Sequence, residues 1–180
     1  GRPGPVLIDI PKDVTAKKAE YEKENPGVYN REFTHIDEKE IAAAAEMIRV
    51  SEKPFIFVGG GAVLSEASKE LKEFVEKMDA PVTDSLMGKG AFDGTDELYT
   101  GMIGMHGTKT SNFGVAECDL LIVVGARFSD RVVGDAARFA SHAKILQLDV
   151  DPAEINKNIK TDASVIGDVK VILRRLNDRL

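Results

Sequence analysis

The run Leu120-Leu121-Ile122-Val123-Val124 constrains the fold more than any other stretch of the chain. It is unbroken, apolar and rich in β-branched residues, which suits a strand covered on both faces, as in a parallel sheet. The run stops at Gly125, and the following ARFSDR places Arg127 and Arg131 where two guanidinium forks stand at the carboxyl edge of that sheet. Ligands of open α/β sheets bind at this edge. Arginines there favour an anionic, phosphate-bearing ligand, because the planar fork matches such groups bidentately and keeps its charge. A core strand followed by a solvated arginine loop accounts for the same residues.

Strands and helices alternate around this run. Asp37 caps a predicted helix over residues 37–50, with Ile41, Ala44, Ala45 and Ile48 as its apolar stripe and Glu40 as capping-box partner. Phe55-Ile56-Phe57-Val58 reads as a buried strand running into Gly59-Gly60-Gly61. A helix is predicted from Ser65, carrying Leu71, Phe74, Val75 and Met78, and extended structure resumes at Pro81-Val82-Thr83. Residues 85–107, with six glycines, read mostly as loop, and residues 112–118 as the end of a helix. Further strands are predicted at 144–148 and 163–166, a short helix at 152–156, and a last helix at 168–176 with Val169, Val171, Ile172 and Leu176 inward. This alternation predicts an α/β fold with a doubly wound, mainly parallel sheet of about five or six strands.

The beginning of the chain reads differently. Residues 6–10, VLIDI, have the composition of a strand, but prolines isolate them on both sides and no neighbouring segment offers a partner. Residues 14–36 are polar, contain Pro26-Gly27 and keep no period, as in an interdomain linker. The expected organisation is therefore a tail of a preceding domain at 1–13, a linker at 14–36 and one domain at 37–180. The first residue is Gly1 rather than Met, so the natural chain is not expected to start there.

Composition narrows the partners. A formal charge of −6 argues against general nucleic-acid binding. The single cysteine, Cys118, has no internal disulfide partner and no metal-ligand spacing around it, which fits a reducing compartment. No apolar run approaches the ~18 residues of a membrane span and no signal peptide is visible, so a cytoplasmic protein that does not enter membranes is expected.

The candidate chemistry lies at the strand ends. Gly59-Gly60-Gly61 sits between strand and helix, where backbone can approach an anion, but Val63 and Leu64 break the G-x-G-x-x-G pattern, which demotes a nicotinamide dehydrogenase. A tight turn explains these glycines equally. Residues 101–107, GMIGMHG, combine backbone freedom with Met105 and His106, a mixture suited to a flat aromatic ligand. His106 also reads as an ordinary loop residue, and with His35 in the linker and His142 in a polar stretch no metal triad is evident. Asp149 can accept bonds from sugar hydroxyls, whereas Asp151 and Asp168 also read as helix caps. No Ser-His-Asp order, cysteine nucleophile or P-loop is present.

Taken together, GRPGPVLIDIPKDV, FVGGGA, SLMGKGAF, GMIGMHGT, DLLIVVGARFSDRV, LDVDPAEINKN and IGDVK closely resemble, in order and spacing, the large catalytic subunits of the acetolactate synthase (acetohydroxyacid synthase) family. The resemblance covers nearly the whole chain. It implies a thiamine-diphosphate-dependent transferase of three α/β domains, with this chain as the central, FAD-binding one, preceded by the tail of the pyrimidine-binding domain. It further implies condensation of two pyruvates to 2-acetolactate and CO2, or of pyruvate with 2-oxobutyrate, in branched-chain amino-acid biosynthesis. A homo-oligomer and a regulatory small subunit are implied as partners.

Carried over position by position, the family's FAD contacts fall on Arg2, Gly59, Gly60, Gly61, Ser85, Leu86, Ile103, Gly104, Met105 and His106. They continue through Gly125, Ala126, Arg127, Phe128 and Ser129, and end on Asp149, Val150, Asp168 and Val169. Lys12 and Arg131 match positions lining the substrate and inhibitor channel. Ser129 stands where the family usually has the first Asp of an Asp-Asp-Arg run, and Ser85 where it often has Thr; the second change keeps a hydroxyl, the first loses a carboxylate. The activating glutamate and the Gly-Asp-Gly site for Mg²⁺ and diphosphate belong to the flanking domains, and Gly167-Asp168-Val169 is not that motif. No catalytic or metal-binding residue is therefore expected within the chain, which alone should be silent. A sister enzyme of the glyoxylate carboligase or pyruvate oxidase type, or a noncatalytic NAD- or ADP-binding module, stays open, since fold does not fix function.

Overall fold

The structure is a computed structural model that describes residues 4–25, 27 and 36–180. Arg2 and His35 lie outside the described residues. The chain divides into two compact units, Gly1–Glu32 and Phe33–Leu180.

In the first unit the described residues form one helical turn, α1 (Lys12–Thr15), which lies across the expected start of the linker. The strand predicted at 6–10 does not form: these residues have no regular structure, and Val6, Leu7 and Ile8 are 79–91% exposed. A strand is defined by its ladder, and the described residues of this unit supply none.

The second unit is built on a six-stranded sheet: β1 (Pro54–Val58), β2 (Val82–Asp84), β3 (Tyr99–Met102), β4 (Leu120–Val124), β5 (Lys144–Asp149) and β6 (Ala163–Ile166). The order is β3-β2-β1-β4-β5-β6 and every pairing is parallel. It is the doubly wound order in which the chain reverses direction between β1 and β4, and crevices form outside the carboxyl ends at such a reversal.

Period-2 alternation divides the strand side chains between two cores. Ile56, Val58, Leu120, Ile122, Val124, Leu146, Leu148 and Val165 pack on one face against α2 (Glu38–Arg49), α4 (Ser68–Met78) and α7 (Val169–Asn177). Phe55, Phe57, Leu121, Val123 and Ile145 pack on the other. There α5 (Lys109–Glu117) contributes Val115, a single helical turn at Asp130–Val133 adds the partly buried Val132 and Val133, and the rest of the cover comes from connecting segments through Ile103, Ala126, Phe128, Ala140 and Ile159. Ile122, with no exposed surface, contributes roughly 1.5–3 kcal/mol by its burial.

Local signals explain most boundaries. The Asp37 carboxylate accepts from the Lys39 amide at 2.8 Å and starts α2, although among the described residues Glu40 does not return the second bond of a capping box. Asp168 caps α7 through the Lys170 and Val171 amides, and Leu173 joins the predicted inward residues. Val171 is only partly buried.

Three expectations need correction. The helix expected from Ser65 is two: α3 (Gly60–Leu64) begins inside the glycine triplet, and α4 follows a break at Glu66, whose φ of 53° ends the first. Ser65 closes α3, its hydroxyl donating to the Gly61 carbonyl at 2.6 Å. The loop expected at 85–107 contains β3, an edge strand without an apolar run; all four of its residues are half-buried and Gly101 has φ +96°. The short helix expected at 152–156 is a 3-10 turn, Pro152–Glu154, that ends before Asn156 turns to φ 59°.

Candidate functional site

The carboxyl ends of β1 to β6 bring the loops singled out in the sequence to one edge of the sheet. At the reversal point, Gly59 N donates to the Val124 carbonyl and Gly61 N to the Gly125 carbonyl, each at 2.9 Å. Gly125 needs its hydrogen side chain, with φ +58° and a Cβ position only 2.8 Å from Gly61 Cα. A Cβ on Gly59 would collide with Ala126 Cα and the Gly125 carbonyl oxygen. Gly59, Gly61 and Gly125 therefore serve main-chain packing of one loop on another. Gly60 is different, its Cβ position facing Met87 Cβ at 3.1 Å across the rim of the site.

Beside this interlock lies the turn after β2. The Ser85 amide donates to the Val58 carbonyl at 2.9 Å, and its hydroxyl accepts from the Gly88 amide at 3.2 Å, closing a 3-10 turn, Leu86–Gly88. Leu86 and Met87 stand 70% and 75% exposed on it. Ile103 is buried, and Gly104 (φ +98°) is braced by Asn112, whose amide group both donates to and accepts from its backbone at 3.1 Å. Met105, 64% exposed, donates its amide to the Arg131 carbonyl at 2.9 Å, so the Met105-His106 loop is fastened to α6 (Asp130–Val133).

After β4, Ala126 and Phe128 point into the second core, where Phe128 packs edge-on against Phe139 with ring centroids 5.9 Å apart. Arg127 between them is exposed. Among the described residues neither the Arg127 nor the Arg131 guanidinium has an ion-pair or hydrogen-bond partner, although other arginines of the chain are paired. Ser129 keeps its carbonyl on the Val132 and Val133 amides. Asp149, 5% exposed, accepts from the Asp151 amide at 3.0 Å, Asp151 caps the next turn through Ala153 N, and Val150 is half-buried between them.

The structure thus brings Gly59–61, Ser85, Leu86, residues 103–106 and residues 125–129 to one rim, with Asp149, Val150 and Asp168 at the ends of the neighbouring strands. Ile103, Phe128 and Val169 are buried with their side chains in the cores, which leaves only their backbone for a ligand. Lys12 is exposed in the first unit and Arg131 in the second. Sequence reading missed Asn112, the Lys89-Tyr99 pair beside Asp84, and Gln147, which is fully buried and donates to the Ala126 carbonyl at 3.5 Å. A polar residue inside the apolar β5 run was the one signal available for Gln147. Among the described residues no group of three His, Cys, Asp or Glu could hold a metal, and no helix is long and apolar enough to cross a membrane.

The rim offers guanidinium forks that have no partner among the described residues, suited to an anionic group, and the exposed side chains of Leu86, Met87 and Met105, suited to a flat apolar ring.

Comparison with known proteins bears on the family and the fold. The acetolactate synthase large subunit of Porphyra purpurea is 46% identical over 180 residues, which take in 98% of this chain and 30% of that protein. The acetolactate synthase large subunit of Parasynechococcus marenigrum is 48% identical over 180 residues, 98% of this chain and 29% of that one. The chain thus spans about 30% of the length of these relatives. A crystal structure of a thiamin diphosphate-dependent enzyme isolated from Mycobacterium smegmatis superposes with a TM-score of 0.67 at 28% identity, over 79% of this chain and 28% of that one. The model of the thiamine pyrophosphate enzyme central domain matches residues 41–176, from the first turn of α2 to the last of α7, and the chain belongs to that family.

Proposed function

We propose that residues 37–180 are the FAD-binding central domain of an acetolactate-forming, thiamine-diphosphate-dependent transferase, with residues 14–36 a linker and 1–13 the tail of a preceding pyrimidine-binding domain. The observation that carries the reading is Arg127, an exposed guanidinium without a partner among the described residues, standing between two buried neighbours at the sheet's carboxyl edge. Held in this way its backbone is fixed while its fork is free for an anion. The whole enzyme condenses two pyruvates, or pyruvate with 2-oxobutyrate, for branched-chain amino-acid biosynthesis in the cytoplasm, as a homo-oligomer with a regulatory small subunit.

In this division of labour the flanking domains hold thiamine diphosphate and Mg²⁺ and carry out the carbon–carbon chemistry, while FAD adds no net redox step. Gly60, Ser85, Leu86, Met105 and His106 lie along the ring and its linker, and Arg127 meets the anionic or polar part. Asp149 and Asp168 stand at the sugar end; a substrate-channel role is proposed for Lys12 in the first unit and, separately, for Arg131 in the second.

Flavin titration by fluorescence quenching in the full-length protein tests the assignment. A charge-assisted hydrogen bond contributes roughly 1.5–3 kcal/mol, so Arg127→Ala weakens FAD binding about ten- to a hundredfold. Arg127→Lys recovers part of the loss, because a point charge cannot reproduce the fork. Arg138, exposed in a turn beyond the rim, serves as the silent control on replacement by alanine. Equal affinity of wild type and Arg127→Ala, both folded, removes Arg127 from the site. Acetolactate formed above background by the 180-residue chain alone would overturn the division of labour.

A further inference from the structure

A cluster of polar side chains outside the positions assigned above closes over the turn that carries Leu86 and Met87. Asp84, last residue of β2, is 4% exposed. Its Oδ2 accepts from the Tyr99 hydroxyl at 2.8 Å, while Oδ1 is buried with no hydrogen bond among the described residues. The nearest cation to Oδ1 is the Lys89 ammonium at 3.6 Å, which also donates to the Tyr99 oxygen at 3.1 Å and sits 5.9 Å from the centre of the Tyr99 ring. Asp84 and Lys89 flank residues 85–88, so their attraction spans the two ends of the turn.

The hydrogen bond to Tyr99 outweighs burial and, with the Asp84 charge, holds the Lys89 ammonium above its ordinary 10.5. Burial above all keeps the Tyr99 hydroxyl protonated beyond its ordinary 10.0. Both groups are therefore donors throughout the neutral range. A buried carboxylate with one unbonded oxygen is costly to keep unless the arrangement it enforces is used. The arrangement it enforces is the height of the turn. The base of the turn is already fastened, through Ser85 N to Val58 and by Gly88 pressed against the Val58 carbonyl, and Met87 reaches from it over Gly60.

We propose that Asp84 and Lys89, linked through Tyr99, are positioning residues for the flavin: the clasp fixes the turn at 86–88 so that Leu86 and Met87 form a rigid apolar wall over the Gly60 side of the rim. The proposal rests on the FAD reading given above. It deepens that reading by assigning the orientation of the ring, rather than the hold on its anionic part, to a pair of charges that never touches the ligand. The same loop with a loose turn would present two mobile apolar side chains, and ordering them would have to be met at each binding event.

The test uses the full-length protein with FAD as the probe, comparing wild type, Lys89→Met, Lys89→Arg, Asp84→Asn and Arg127→Ala. Urea unfolding and the visible absorption and circular dichroism of bound flavin are recorded beside affinity. Lys89→Met and Asp84→Asn are expected to weaken FAD about three- to tenfold, the range of a partly exposed ion pair and its ordering effect, and to shift the visible flavin bands. Lys89→Arg restores most of both. Unchanged affinity and bands in Lys89→Met overturn the clasp, as does a loss that follows the urea midpoint and is not rescued by arginine. If Arg127→Ala loses affinity while the clasp variants do not, the flavin site stands and only the clasp fails. Absence of FAD binding by the wild type overturns both.

Discussion

Replacing each glycine of the triplet by alanine in turn separates glycines kept for packing from glycines kept for a ligand. Gly59 has φ −115° and ψ −176°, extended backbone open to any residue, so alanine there carries no dihedral penalty. Its cost is steric, because the new methyl would overlap Ala126 Cα and the Gly125 carbonyl oxygen, both main chain. Relief requires the two loops to part, which strains the bonds from Gly59 N to Val124 and from Gly61 N to Gly125, each 2.9 Å. Overpacking costs about 1–3 kcal/mol and a weakened hydrogen bond about 0.5–1.5, so Gly59→Ala is expected to lose about 2–4 kcal/mol. Gly61→Ala, whose Cβ would lie 2.8 Å from Gly125 Cα, falls in the same range. Whereas Gly59→Ala overlaps main chain outright, Gly60→Ala meets Met87 Cβ at 3.1 Å and the Met87 carbonyl oxygen at 3.2 Å, contacts relieved by a shift of a few tenths of an ångström. Its small strain is offset by the better helix propensity of alanine, up to about 1 kcal/mol, and the net change is expected within about 1 kcal/mol of zero. Urea unfolding of the 180-residue chain followed by far-ultraviolet circular dichroism reads the difference. With m of roughly 1–3 kcal/mol/M, Gly59→Ala should lower the midpoint by about 1 M or more while Gly60→Ala scarcely moves it. Coincident midpoints for the two variants would refute the packing argument.

Two further outcomes follow from buried and paired groups. Burial raises the Glu70 carboxyl, but the hydrogen bond from Arg174, the backbone and the Lys170 and Arg174 charges outweigh it and hold it below the ordinary 4.5. Burial likewise raises Asp119, and bonds from Ser51 and the Glu52 and Lys53 amides bring it below 3.8. A depressed carboxyl stabilises the fold above its unfolded pKa and loses that contribution as pH falls through the folded value, so the urea midpoint should drop between about pH 5 and 3. Asp119→Asn and Glu70→Gln should flatten that drop, and an unchanged slope would exclude these groups as its source. Burial, aided by the Asp119 charge, pushes the Cys118 thiol up to about 12, so it should resist iodoacetamide in the native chain at pH 8 and react fully in guanidinium. Native labelling at the denatured rate would contradict its burial.

The parts of the fold that the sequence disclosed are those whose signal is local. β1, β4 and β5 announce themselves as apolar runs because both faces are buried, and Asp37 and Asp168 mark helix starts because each carboxylate bonds amides two or three residues on. β3 was hidden because an edge strand needs no apolar run, and its Gly101 reads as loop. The strand order was not legible, since parallel neighbours such as Val58 and Val124 meet through crossovers of tens of residues. Among the candidate site residues, the position of Gly125 and Arg127 directly after the apolar run put them at the carboxyl end of β4, as the structure has them. The same pattern could not reveal that Ile103 and Phe128 turn inward, which depends on the loops packing over the second core. The Asp84, Lys89 and Tyr99 cluster joins groups up to 15 residues apart, beyond any helix or strand period.

The second face of the sheet, roofed largely by connecting segments, makes the fold and the candidate rim share the same stretches of chain. Ala126 and Phe128 are core residues on either side of Arg127, and Ile103 is a core residue two positions before Met105. A lineage retuning this site for another ligand is therefore not free to rewrite whole loops: truncating Phe128 or Ile103 would open a hole of the kind that costs about 2–5 kcal/mol, against a total stability of about 5–15. Evolvable variation is channelled into the side chains that face outward, Leu86, Met87, Met105, His106 and Arg127. Laboratory libraries restricted to those positions should retain folded members far more often than libraries that also randomise the buried residues between them.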